Sequence, residues 1–304
     1  MFFSWPFFFE VAIGGLLIGV MYSLVALGFV LIFKASGVFN FAQGTMVLFA
    51  ALTFVGLMEL GAPVWLALIL TVAVMVGVAL LVERIVLRPL VNQEPIILFM
   101  ATIGIFYFLD GFGQTIWGSD VKPLDIGLPV EPLFFGDILI NQFDIVAGLI
   151  AGTMVAVLAI FFQKTRIGRA LRAVADDHQA ALSVGIPLKT IWAIVWSVAG
   201  IVGLVAGIMW GTKLGVQFSL SLIALKALPV LILGGFTSIP GAIIGGLIIG
   251  AGEKLAEVFL SPALSIAFDV QLGAIEDWFA YMLAMVFLVF RPQGLFGERI
   301  IERI

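Results

Sequence analysis

The chain contains no cysteine and a single histidine, His178. Disulfides and thiolate metal sites are therefore excluded, and so are metal centres built from several histidines. Charge is also scarce: 11% of the 304 residues are Asp, Glu, Lys or Arg, against about a quarter in soluble domains. No Gly-x-x-x-x-Gly-Lys-Ser/Thr loop is present to cradle ATP phosphates, and no His-Glu-x-x-His to hold catalytic zinc. An intramembrane serine protease needs a Ser–His pair at membrane depth, and His178 lies in a polar stretch. An intramembrane aspartyl protease needs two facing aspartates, and Asp110 is the only one read well inside an apolar run. The segment Met1-Phe-Phe-Ser-Trp-Pro lacks the basic region of a signal peptide, so the first apolar run is expected to be retained.

What the chain does have is apolar surface. Hydrophobic residues make up 62% of it, more than a soluble core can hide, so lipid is the expected solvent. The apolar residues come in continuous runs and do not alternate with polar ones, which excludes a β-barrel. The reading is an all-α polytopic membrane protein, one transmembrane domain over 1–304. A span needs about 20 apolar residues. Val11–Phe33, Phe41–Met58, Val64–Val82, Ile96–Trp117, Ile145–Phe162, Ile191–Trp210 and Val216–Phe236 qualify, and a last run near Asp277–Phe290 is short unless it starts before Glu276. Ile239–Gly252 is short and Gly-rich, and is either a ninth crossing or a half-helix. The count is eight or nine helices.

Basic residues set the orientation. With the N-terminus outside and nine crossings, Lys34, Arg84, Arg88, Lys164, Arg166, Arg169, Arg172, Lys189, Arg291, Arg299 and Arg303 face the cytoplasm. Lys122, Lys213 and Lys254 face out, and the opposite orientation reverses the bias. If Ile239–Gly252 does not cross, the C-terminal arginines fall outside instead. The outer loop, 118–143, contains Pro123, Pro129 and Pro132 and is not expected to be a continuous helix. It is either a connector or a landing surface for an extracytoplasmic protein.

Four places carry candidate function. The first is the polar, basic loop 164–190, the only long polar segment in the chain, with Gly168, Arg169, Arg172, Asp176, Ala180, Ala181 and Gly185 as candidate coupling residues. It is a solvated linker or a docking surface, and its helical make-up favours docking. The second is Asn40, Gln43 and Gly44, two amides and a glycine between the first two spans. They are candidate pathway residues, or Asn40 is a helix N-cap. The third is Lys226, within an apolar run. A charge there costs about 3 kcal/mol on insertion scales, so it faces the protein interior or snorkels to the interface. The fourth is the Gly-broken segment Gly234–Gly250, with Gly235 and Ser238 as candidate pathway residues. It serves close helix packing or forms a broken helix of the kind that lines substrate paths.

Several stretches together resemble the permease subunits of ABC importers for branched-chain amino acids, of the LivH type. They are Gly15-Leu-Leu-Ile-Gly-Val-Met-Tyr-Ser-Leu-Val-Ala-Leu-Gly-Phe-Val-Leu-Ile-Phe33, Asn40-Phe-Ala-Gln-Gly44, Gly168-Arg-Ala-Leu-Arg-Ala-Val-Ala-Asp176 with Ala180-Ala181 and Gly185-Ile186, Leu225-Lys-Ala227, Gly234-Gly-Phe-Thr-Ser-Ile-Pro-Gly241 and Phe290-Arg-Pro-Gln-Gly-Leu-Phe-Gly297. They keep the family's order over almost the whole chain. Gln43 stands where the family usually has His, and Val47-Leu-Phe-Ala-Ala51 where it has Met-Leu-Gly-Ala-Tyr.

The resemblance implies the ABC importer permease fold in a bacterial inner membrane. It implies a second homologous permease, two cytoplasmic ATPase subunits and a periplasmic substrate-binding protein as partners. Loop 164–190 would then hold the coupling helix. The substrate would be a branched-chain amino acid or a related small polar solute such as an amide or urea. No cofactor within this chain and no nucleic-acid partner are expected. The rival class is a stand-alone secondary transporter or channel. It needs embedded acids to carry ions, and on this reading the chain offers only Asp110.

Overall fold

A computed structural model describes residues 4–90, 93–129, 131–176, 178–269, 273 and 275–297. Arg299 and Arg303, assigned above to the cytoplasm, lie outside the described residues.

Helix after helix follows the apolar runs. Five are long and apolar enough to cross a membrane: α1 (Trp5–Ser36), α3 (Val64–Leu81, extended by π and 3₁₀ turns to Leu90), α4 (Pro95–Trp117), α5 (Gln142–Lys164) and α8 (Leu188–Leu214). Between α5 and α8 lie two short helices, α6 (Arg166–Asp176) and α7 (His178–Ser183). A 3₁₀ turn, Phe218–Leu222, leads into α9 (Ile223–Gly234). After a sharp break come α10 (Ile239–Leu255), a π turn at Ala256–Leu260 and α11 (Ser261–Phe268); the two arms of this pair are bent by 115°. Two shorter apolar helices complete the set, α2 (Gln43–Glu59) and α12 (Glu276–Phe290). Counting the bent pair as one or as two gives eight or nine apolar segments among the described residues.

Two expectations change. The run Ile239–Gly252 is the start of a longer helical arm that continues through the π turn to Phe268. Loop 118–143 holds a small hairpin, β1 (Pro132–Phe135) paired antiparallel with β2 (Ile138–Asn141), so among the described residues the fold is helical with one two-stranded addition.

The chain divides into two compact units, 1–26 with 127–155 and 225–304, and 27–126 with 156–224. In the second unit α2 is the centre. Its residues from Gln43 to Gly56 are buried. At 17 residues it rises about 25 Å, less than the hydrocarbon thickness. Protein surrounds it, so it need not match the lipid. Small residues on α8 bring it close: Gly203 faces the Met46 backbone and Gly207 the Val47 carbonyl. Helix α3 shows the opposite pattern. Only Ala67, Thr71, Met75 and Ala79, spaced by four, are buried, while Trp65, Ile69 and Leu81 are exposed. That is a lipid-facing helix with one protein-facing stripe.

In the first unit, α1 and α10 run antiparallel. A β-carbon on Gly15 would lie 2.7 Å from the Gly250 carbonyl, one on Gly19 would strike the Gly246 carbonyl, and Ser23 Oγ donates to the Ile243 carbonyl at 3.2 Å. Such close backbone approach is how helices associate where lipid removes the hydrophobic drive. Helix α9 also runs against α10, with Gly245 under the Val230 carbonyl.

Candidate functional site

The buried amides belong to the second unit. Asn40 and Gln43 are both fully buried, and Asn40 Nδ2 faces Gln43 Oε1 at 3.5 Å. Gln43 Nε2 faces the Ala199 carbonyl of α8, also at 3.5 Å, and Gly28 of α1 leaves room for that side chain. Asn40 is not the N-cap of α2, which is Ala42. Its Oδ1 accepts from Ala42 N at 3.1 Å, so it fixes the turn before the helix. Gly44 packs on the Ser221 carbonyl so closely that any β-carbon would collide with it. Thr102 of α4 closes the joint: its Oγ1 accepts from Phe41 N at 3.0 Å and donates to the Phe99 carbonyl at 2.8 Å.

Lys226 lies in the first unit and faces protein. Its Nζ is 3.2 Å from Glu276 Oε1 and 3.8 Å from Glu253 Oε1. Lys254 meets the other Glu276 oxygen at 3.1 Å, and Tyr22 Oη donates to Glu253 Oε1 at 3.0 Å. Glu253 is only 3% exposed. The geometry follows from helix stereochemistry. Gly246, Gly250 and Glu253 share one face of α10, as Gly15, Gly19 and Tyr22 share one face of α1. Side chains lean toward the N-terminus of their own helix, so on antiparallel helices Tyr22 and Glu253 lean toward each other. Two lysines and two glutamates thus balance their charge where four helices meet. Snorkelling to the interface is not how Lys226 is satisfied.

The acids of this cluster correct the sequence reading, which ended the run at Gly252 and counted Asp110 as the one embedded acid. The signal was present in the i, i+4, i+7 spacing of Gly246, Gly250 and Glu253. Asp110 itself accepts from Gln114 Nε2 at 3.1 Å through Oδ2.

Gly235 and Ser238 mark the break between α9 and α10. Nine residues of helix, about 13 Å of rise, separate Lys226 from Gly235, so these candidates do not form one cluster. Gly235 has φ +102°, which an L side chain rarely adopts. Ser238 is the N-cap of α10, its Oγ accepting from Gly241 N at 3.0 Å. The tail after α12 closes the break: Leu295 N donates to the Leu233 carbonyl at 2.8 Å and Phe296 N to the Gly234 carbonyl at 3.2 Å.

The polar loop forms α6 and α7. Arg169 and Arg172, expected as a docking face, turn back on α5. Arg172 Nη1 donates to the Phe162 carbonyl at 2.7 Å and Arg169 Nη1 to the Lys164 carbonyl at 3.3 Å. They satisfy the terminal carbonyls of α5, where cations are also favoured by the helix dipole. Gly168 packs on the same Phe162 carbonyl. Asp176 is exposed at the end of α6, Ala180 is exposed and Ala181 is buried. Gly185 turns the chain with φ +84°. The apolar surface of the loop is Leu182, 51% exposed, and Val184, 76% exposed.

Comparison with known proteins now decides the class. The profile of the family described as branched-chain amino acid transport system / permease component matches residues 11–290. The chain belongs to this family. Among its permease relatives, LivH of Salmonella typhimurium, a high-affinity branched-chain amino acid transport system permease protein, is 28% identical over 98% of both chains. BraD of Pseudomonas aeruginosa is 27% identical over 96% of both. The autoinducer 2 import permease LsrC of Escherichia coli is 30% identical over a shorter stretch, 54% of this chain and 47% of its own. A solved structure, PsaBC from Streptococcus pneumoniae with Fab, matches over 92% of this chain and 91% of its own at TM-score 0.47 and 13% identity. As a permease component with several apolar spans, the protein is a multi-pass membrane transport subunit.

Proposed function

We propose that this permease is the membrane subunit of an ATP-driven importer for branched-chain amino acids or related small polar solutes. The observation that carries the reading is the family match over residues 11–290 in a chain whose only long polar segment folds as α6 and α7. A second homologous permease, two cytoplasmic ATPases and a periplasmic binding protein complete the assembly. Its place is a bacterial inner membrane, as one transmembrane domain with the N-terminus outside and the C-terminus in the cytoplasm.

In this reading Arg169, Arg172 and Gly168 fix α6 to the end of α5, so a push on α6 and α7 moves α5 with it. Contact with the ATPase is made by the exposed Leu182 and Val184 beside Ala180 and Gly185. Within the second unit Asn40, Gln43 and Gly44 hold α1, α2 and α8 together as candidate pathway residues, and within the first unit Lys226, Gly235 and Ser238 are candidates of the same kind. The rival of an ion-coupled transporter gains Glu253 and Glu276 as embedded acids, yet both are paired with lysines.

The test is uptake by the assembled transporter in proteoliposomes. Val184→Glu should leave the permease inserted and assembled, and should abolish ATP-dependent uptake of leucine or its competitor while ATP hydrolysis persists. Uptake at the wild-type rate would remove α7 from the coupling path.

A further inference from the structure

The hairpin in loop 118–143 is apolar on both faces. β1 reads Pro-Leu-Phe-Phe and β2 reads Ile-Leu-Ile-Asn, so seven of the eight strand residues are apolar. Every β1 residue is exposed, with Phe134 at 72% and Phe135 at 61%. A strand pair with water on one side alternates apolar and polar residues, and this one does not. An isolated two-stranded hairpin is at best marginally stable in water. Among the described residues, the β1 side chains that would need a core are left exposed.

Its position in the fold points to what covers it. β2 ends at Asn141, and the span α5 begins at the next residue, Gln142. Gln142 N donates to the Glu131 carbonyl at 3.3 Å, which closes the hairpin base on the first turn of that span. Asn141 Oδ1 accepts from Phe143 N at 2.9 Å and fixes the junction. On its other side, Leu139 N donates to Glu10 Oε2 of α1 at 3.0 Å. Leu139 pairs with Phe134, and its amide points away from that strand, so Glu10 satisfies an edge donor that would otherwise need water. The hairpin is thus held level with the start of α1, where Trp5 and Phe9 are exposed. Aromatic side chains at span ends mark the membrane–water boundary.

We infer that the 132–141 hairpin is an interfacial membrane anchor, with Phe134 and Phe135 seated among the lipid headgroups and upper acyl chains on the side where α5 begins. Depth is bounded by two features. A two-stranded ribbon has edge amides that hydrocarbon cannot satisfy, so it cannot sit in the bilayer core. The tip residue Asp137 needs water or headgroups. The anchor holds the outer ends of α1 and α5 at one level.

The chain has no native cysteine, so single spin labels can be placed cleanly. Phe134→Cys and Phe135→Cys, with Gly127→Cys as a reference, are labelled in the assembled transporter in lipid nanodiscs. Collision with oxygen, which partitions into lipid, is compared with collision with a water-soluble nickel chelate. Labels at 134 and 135 should favour oxygen, while the label at 127 favours nickel. Nickel access at 134 and 135 equal to that at 127 would place the hairpin in water and overturn the anchor. Low access to both reagents would mean that a protein partner covers it, which overturns the anchor equally. Neither result bears on transport, which the uptake assay reads separately.

Discussion

Lys226 holds Glu276 at 3.2 Å and Glu253 at 3.8 Å, and Glu253 is the residue with most to lose. It is nearly inaccessible, its hydrogen bond comes from Tyr22, and Lys226 supplies a cation 3.8 Å away. Removing one partner of a buried pair costs about 3 kcal/mol or more, and the lower end applies because the Lys226 side chain is 30% exposed. Lys226→Met should therefore lower the thermal unfolding temperature in detergent, and Lys226→Met with Glu253→Gln should recover most of the loss. A single mutant that melts like the wild type would show that the ammonium does not hold Glu253. The sequence alone showed that Lys226 required a partner, because isolated charge is costly at membrane depth. It did not show which partner, because Glu253 and Glu276 lie 27 and 50 residues away and only the fold brings them near. Arg169 and Arg172 teach the same lesson in reverse. Their helix and shared face were legible, but the carbonyls they cap belong to the preceding helix.

Among elements, the α1–α10 contact rests on glycines that leave no space. Gly19→Ala should force the helices apart at Gly246, an overpacking cost of about 1–3 kcal/mol. Gly14→Ala meets nothing within 4 Å and should be neutral or favourable by up to about 1 kcal/mol through helix propensity. Melting temperatures of the two variants check the pair; equal behaviour would mean that the contact does not hold the unit together. Small-residue spacing in Gly241, Gly245, Gly246 and Gly250 made close packing legible in advance. The length of that arm was not, since Glu253 and Lys254 look like the start of a loop until their partners are known. The hairpin was hidden for a different reason: Pro and Gly in loop 118–143 argue against a helix without arguing for a strand pair.

For the whole molecule, the apolar spans and the family resemblance were readable from the sequence, and the basic residues supply the proposed orientation. It is checked by single cysteines. Ser183→Cys should react with an impermeant thiol reagent only in inside-out vesicles, and Gly127→Cys only from the outside; reversed labelling would invert the topology. The grip of residues 295 and 296 on the carbonyls of Leu233 and Gly234 has a consequence in time. A ribosome delivers the chain from its first residue, so the α9 break emerges some sixty residues before the segment that closes it. Until residues 295 and 296 are made, the carbonyls of Leu233 and Gly234 lack these two donors. The joint therefore closes only once residues 295 and 296 have been made, and a nascent chain stalled shortly before Leu295 is still open at its joint.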